Sequence, residues 1–211
     1  MKRSFAVLGV ICSVFSISGC SQVDAPEEIP SVNKNLSVLV PEYTEVSKVR
    51  LTNGRRFVSL GDTEDKAFSI FPRPSRGFTL QDETIPGLPV DFKSKGWESN
   101  SEGFGIILHD DKVVLAMRQY EAIEADEFAG ILAALQAING IDRFQSVTQD
   151  KVEYWFIKSG LDVLSISRVP SAKKRYQVTT TIGNEHVMDS LGILKGVKKT
   201  DTQPTFEKHA L

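Results

Sequence analysis

Cysteine is nearly absent from the 211 residues: there are two, Cys12 and Cys20. Nothing after residue 20 can form a disulfide with a partner in the same stretch, so that part must be held by a packed core. It also holds no thiol to act as a nucleophile. Histidine is scarce as well, at His109, His186 and His209, and no HExxH, CxxC or G-x-S-x-G spacing occurs. A carboxylate or Ser–Lys mechanism leaves no linear trace, because its groups converge only in three dimensions. Excess positive charge is lacking too, with 25 Lys and Arg against 27 Asp and Glu and a formal charge of −2. That balance gives no electrostatic reason to expect nucleic acid, which calls for a clustered basic face. No apolar run reaches the roughly 18–20 residues that span a bilayer as a helix.

What is present begins with a leader. Lys2 and Arg3 precede a mostly apolar stretch over residues 5–17, and Ile17-Ser18-Gly19-Cys20 follows it. The stretch is too short to span a membrane and has the layout of an export signal. The four residues resemble the lipobox of bacterial lipoproteins, with Ile17 where Leu is usual. The resemblance implies cleavage between Gly19 and Cys20. It also implies a diacylglyceryl thioether on Cys20 and an added acyl chain such as palmitate, anchoring the chain to a lipid bilayer. Two chains hold a protein stably where one does not. Ser21, where an Asp favours inner-membrane retention, points to the periplasmic side of the outer membrane. The chain from Cys20 onward carries 23 Lys and Arg against 27 Asp and Glu, the surface of an ordinary mildly acidic domain.

Residues 20–35, with Pro26, Glu27, Glu28 and Pro30, read as a flexible stem. Leu36–Val40 reads as an edge strand closed by Pro41, and Asn53-Gly54 as a hairpin turn between short strands. A short helix follows Gly61, with Ala67, Ile70 and Phe71 on one face, capped by Asp62 or Thr63 and ended at Pro72. Residues 75–104 are rich in Gly and Pro and read as a long loop with one strand near Asp91–Ser99. Residues 105–109 and 113–120 form a hairpin about Asp110-Asp111. The clearest helix places Phe128, Ile131, Leu132, Leu135 and Ile138 on one stripe and closes at Asn139-Gly140. Strands at 152–157, 163–168 and 176–182 precede a last helix over Glu185–Leu194, and the residues after Lys195 form a charged tail. The expected fold is α+β, antiparallel sheet with packed helices, arranged as two tandem helix-plus-β-meander units over 36–122 and 123–195.

The run Gly61-Asp62-Thr63 … Ala67 … Phe71-Pro72-Arg73-Pro74 is similar to the helix motif of BamE/SmpA-like outer-membrane lipoproteins, roughly G-M-T-x-x-x-V-x-x-x-L-G-x-P. Asp62 replaces Met and Pro72 replaces Gly. The β-lactamase inhibitor proteins share a related helix-plus-sheet unit used twice. The match covers fourteen residues and implies a non-catalytic module that binds other envelope proteins.

Asp110-Asp111 reads as a solvated turn rather than an acid pair, since Asp favours such turns. His186 and Lys173-Lys174-Arg175 read as surface. The expected partner-binding residues are Phe78, Phe92 and Trp97, aromatics in the Gly-rich loop, with packing onto the sheet as the other reading. The functional expectation is a lipid-anchored, periplasm-facing binding or scaffold protein that contacts another envelope protein and takes no cofactor. Its alternatives are an inhibitor of an envelope hydrolase and, behind that, a hydrolase.

Overall fold

The computed structural model describes residues 35–194 apart from 84, 86, 87, 143, 150, 172 and 173. The leader, Gly19 and Cys20, nearly all of the stem, Lys173 and the tail beyond Leu194 lie outside the described residues. A four-residue helix α1 (Leu36–Leu39) comes first, then a hairpin of β1 (Arg50–Asn53) and β2 (Arg56–Ser59) and the helix α2 (Glu64–Ile70). Four strands follow: β3 (Phe78–Glu83), β4 (Phe92–Ser99), β5 (Glu102–His109) and the long β6 (Lys112–Ile123). Then come α3 (Ala125–Asn139), β7 (Gln145–Gln149), β8 (Val152–Ser159), β9 (Asp162–Pro170), β10 (Tyr176–Asn184) and α4 (Glu185–Ser190). All strands from β3 onward form one antiparallel eight-stranded sheet in the order β3-β4-β5-β6-β10-β9-β8-β7.

The expectation of an α+β fold with helices packed on the sheet is therefore corrected. The molecule is mostly antiparallel β, and its helices are few and short apart from α3. The region read as a loop causes the difference, because Phe78–Glu83 and Phe92–Ser99 pair from Phe78↔Ser99 to Glu83↔Ser94. Glycine there serves close strand approach rather than looping. Gly96 lies opposite Gly105, and a Cβ built on Gly96 would stand 2.7 Å from the Phe104 carbonyl oxygen. A second correction concerns residues 36–40. They are helical because the buried positions are Leu36 and Val40, one turn apart, while Val38 between them is 87 % exposed.

One face of the sheet carries the larger core. Phe104, Ile106, Ala116, Leu164, Ile166, Val178 and Ile182 project onto Leu51, Val58 and Leu60 of the hairpin region, Ala67 and Ile70 of α2, and Phe128 and Leu135 of α3. The opposite face is covered at one end by Leu36, Ile85, Leu88, Val187 and Met188. The helices start and stop as local chemistry dictates. Thr63 caps α2 by accepting from the Lys66 amide, and Glu127 Oε2 accepts from the Glu124 amide, 2.8 Å away, at the start of α3. Gly140 ends α3 in the left-handed region at φ 62°. Gly61 is the junction between the hairpin and α2. Its φ is +87°, and its amide donates to the Val113 carbonyl at 2.8 Å, tying α2 to the first residues of β6.

Candidate functional site

The β1–β2 hairpin forms a small sheet of its own, apart from the large one. It lies over the first face beside α3, and the side chains of Asn139 and Arg50 fasten the two, Arg50 Nη1 donating to the Ile138 carbonyl at 3.3 Å. Asn139 Oδ1 accepts from the Arg50 amide at 2.8 Å, and Asn139 Nδ2 donates to the Arg50 carbonyl at 3.0 Å. A side-chain amide thus supplies the hydrogen bonds that a neighbouring strand would give the edge of β1. The fastening is at the C-terminal end of α3. Towards its N-terminal end helix and hairpin part, leaving a cleft of about 240 Å³.

The floor of the cleft is Arg118 and Tyr120 of β6 with Thr180 of β10, and its hairpin wall is Leu51, Thr52 and Gly54. The helix wall is Ile131 and Leu135, with Glu127, Gly130 and Ala134 at the opening. Gly130 and Ala134 stand one turn apart, and a Cβ built on Gly130 meets no atom within 4 Å. Gly in a helix interior costs about 1 kcal/mol relative to Ala, and open space surrounds Gly130 where a side chain would stand.

Arg118 is the one cation among the described residues that line the cleft. Its Nη2 donates to Glu102 Oε2 at 2.8 Å and its Nη1 to Asn53 Oδ1 at 3.2 Å. The guanidinium lies over the rings of Tyr120 and Phe71, 4.6 Å and 5.2 Å from their centroids. Its Nε is buried with no hydrogen-bond partner among the described residues. The hydroxyls nearby are committed as donors, Thr52 to the Gly54 carbonyl at 2.7 Å and Thr180 to the Arg118 carbonyl at 3.3 Å. Arg168 is built alike, paired with Glu153 at 2.6 Å and caged by Phe128, Trp155 and Tyr176. It is not among the residues lining the cleft.

Burial raises the Tyr120 hydroxyl above the usual phenol range, against the opposing pull of Arg118. Tyr43 is raised further, first by burial and then by the 2.7 Å hydrogen bond it donates to Asp162. Both groups hold their protons more tightly folded than unfolded, so their stabilisation is complete below about pH 10, the unfolded phenol value, and is lost as pH rises through the folded values. Denaturant unfolding between about pH 9 and 11.5 is expected to show stability falling above about pH 10, with a shallower fall in Tyr43→Phe.

The residues expected to bind a partner lie elsewhere. Phe92 is 2 % exposed and Trp97 3 % exposed, and Trp97 Nε1 donates to the Phe71 carbonyl at 3.1 Å. Phe78 is half-buried against the same core. The structure therefore places all three in the packing of the sheet rather than on a loop surface. Asp110 and Asp111 take φ of 50° and 57° in the turn between His109 and Lys112, with side chains 82 % and 91 % exposed. His109 stacks on Phe92 and meets Asp91 Oδ2 at 3.1 Å. Among the described residues no cluster of His, Asp or Glu is placed to hold a metal ion. None of the described helices is long and apolar enough to cross a membrane. A second depression, over Gly103, Gly105, Met117 and Gln119 on the opposite face, has about 20 Å³, room for about one water.

No protein-family model matches the chain, and no curated protein matches it. Among solved structures, a cysteine-rich secretory protein from Staphylococcus aureus subsp. aureus Mu50 aligns at a TM-score of 0.32 and 12 % identity, over 71 % of this chain and 50 % of that one. The chain thus spans half the length of that protein.

Proposed function

We propose that the chain is a lipid-anchored, periplasm-facing binding protein of the bacterial envelope, held at Cys20, whose protein partner inserts into the cleft between α3 and the hairpin. The observation that carries the binding half of this reading is the cleft: Leu51 and Thr52 on one wall, Ile131 and Leu135 on the other, and the polar residues Arg118, Tyr120 and Thr180 at its floor. Binding sites commonly combine apolar walls with a few fixed polar groups in this way. The anchoring half is supported by the leader, the small residues before Cys20 and the absence of cysteine after it.

Two measurements test the halves separately. Cys20→Ala is expected to abolish labelling by a fatty-acid probe and to move the protein from the membrane fraction to the soluble one; undiminished labelling would remove the anchor. A photo-crosslinking side chain in place of Ala134, on the cleft's rim, is expected to capture an envelope protein. The same side chain in place of Asp111, on the exposed turn, is expected to capture none. Equal capture from both positions would remove the cleft from the reading.

A further inference from the structure

We propose that the outer surface of the β1–β2 hairpin and α2, with the loop that follows α2, is a docking face for an anionic lipid bilayer, whose headgroup phosphates its arginines recognise. The inference rests on the anchoring half of the reading above and adds how the anchored domain sits on its membrane.

The first observation is clustering. Residues 48–76 hold seven Lys and Arg against three Asp and Glu, in a chain whose total charge is −2, so the near-balance of the whole conceals a basic segment. Two of those acids are already engaged, Asp62 with Lys66 and Glu64 with Lys95, each at 2.8 Å. The second is that the arginine charge goes unanswered. Arg118, Arg168 and Arg175 each meet a carboxylate, whereas Arg50, Arg55, Arg56, Arg73 and Arg76 meet none among the described residues. Three of the five are held in place without being neutralised. Arg50 lies over the Phe57 ring, 4.3 Å from its centroid, and Arg73 over Phe68 at 5.5 Å, while Arg56 Nη1 donates to the Ser69 carbonyl at 3.0 Å. Arg55, Arg56, Arg73 and Arg76 are exposed, and an exposed guanidinium fork matches a phosphate with two parallel hydrogen bonds. The third is an apolar companion. Leu80 follows the same loop into β3, pairs with the buried Trp97 and is 54 % exposed. Cations around an exposed apolar side chain suit the boundary between headgroups and acyl chains. The last is reach. Leu36 packs on the opposite face of the sheet, so a chain anchored at Cys20 must pass around the domain to bring this surface to the bilayer. Residues 21–35 span up to about 50 Å when extended, and a domain of about 160 residues is about 40 Å across.

The test uses the protein purified from membranes and placed in vesicles of phosphatidylcholine alone or mixed with phosphatidylglycerol, each holding a nitroxide-headgroup lipid that quenches a nearby dye. No cysteine follows Cys20, so Ser75→Cys, between Arg73 and Arg76, carries the dye at one place, and Val38→Cys, on α1 over the opposite face, is its companion. Quenching at Ser75→Cys is expected to be about threefold or more stronger on the anionic vesicles, with no such increase at Val38→Cys. The increase is expected to disappear as salt rises from about 0.1 M to 1 M, where the screening length falls from about 10 Å to about 3 Å. Replacing Arg55, Arg73 and Arg76 together by Gln is expected to return quenching to the neutral-vesicle level with Tm unchanged, and replacing them by Lys to keep most of it. Replacing Lys151, Lys174 and Arg175 by Gln removes as much charge from the β7–β8 and β9–β10 turns and is expected to change nothing. Equal quenching on the two vesicles, or an equal loss from the two sets of Gln replacements, overturns the docking face. A dye that responds to poly-glutamate but not to phosphatidylglycerol assigns the patch to an acidic protein and overturns the lipid assignment. Failure to stay on phosphatidylcholine vesicles removes the anchor, whereas retention there without the anionic increase fails this inference and leaves the anchor standing.

Discussion

Trp97→Ala is expected to cost about 3–5 kcal/mol of unfolding free energy, the range for removing a large aromatic from a core. The indole is almost fully buried and lies opposite Phe104 across the β4–β5 pair. Phe104 in turn stacks on Phe71 with ring centroids 4.3 Å apart. Truncation opens a cavity beside that stack and leaves the Phe71 carbonyl without the donor it now has in Nε1. Both effects have the same sign, and a small β-rich domain has total stability of only about 5–15 kcal/mol. Denaturant unfolding reads the result directly, and Trp97→Phe, which keeps most of the volume, should recover more than half of the loss. A change below about 0.5 kcal/mol is the surface range and would mean that the indole lies outside the core.

Leu135→Ala is the second large effect, at about 2–5 kcal/mol. Leu135 is 1 % exposed and belongs to the core shared by α3 and the hairpin residues Leu51 and Val58, with its carbonyl also accepting from Asn139 Nδ2 at 2.9 Å. Leu132, on the same helix, is only half-buried, so Leu132→Ala is expected to lose clearly less than Leu135→Ala. The pair of variants measured by urea unfolding separates the two positions. Equal losses would mean that α3 is rotated about its axis, burying both leucines alike.

The ordering of those two leucines shows what a sequence can and cannot convey. The apolar stripe and the Asn139-Gly140 stop place α3 to within a residue, because helix periodicity and a left-handed cap are local. Hairpin turns are equally local: Asp110-Asp111 stand in their turn, while the first hairpin turns one residue later than expected, at Gly54-Arg55, because Asn53 still pairs with Arg56 in the ladder and only Gly54 takes a positive φ. The strands over 152–157, 163–168 and 176–182 follow from alternation and extend somewhat further in the sheet. Which part of the helical stripe is deepest depends on what covers it, and the hairpin that covers Leu135 comes far earlier in the chain. The Gly-rich 75–104 misled for a related reason. Gly96 is small because Phe104 and Gly105 approach it from the next strand, and nothing in its own neighbourhood distinguishes that from a turn. Likewise no linear spacing links Arg118, Thr52 and Gly130. A lone helical glycine beside an exposed alanine was the available signal for the cleft, and it acquires meaning only when the hairpin is in place.

The pairing of β6 with β10 at the middle of the sheet bears on the order in which the molecule assembles. Within each set of four strands every pairing joins neighbours in sequence, so those hairpins close short loops. The central pairing joins Leu115 to Gly183 and Tyr120 to Val178, closing loops that contain α3 and the three strands β7, β8 and β9. Loop-closure entropy rises with length, and contacts distant in sequence slow folding. The two sets can therefore gather early while the central ladder zips last and limits the rate. Once formed, that ladder is flanked on both sides by other strands, and β3 and β7 are the two rims of the described sheet. Amide hydrogens of β6 and β10 are expected to exchange only when the whole domain opens, and those of β7 well before. The molecule frays from its rims and is committed at its midline.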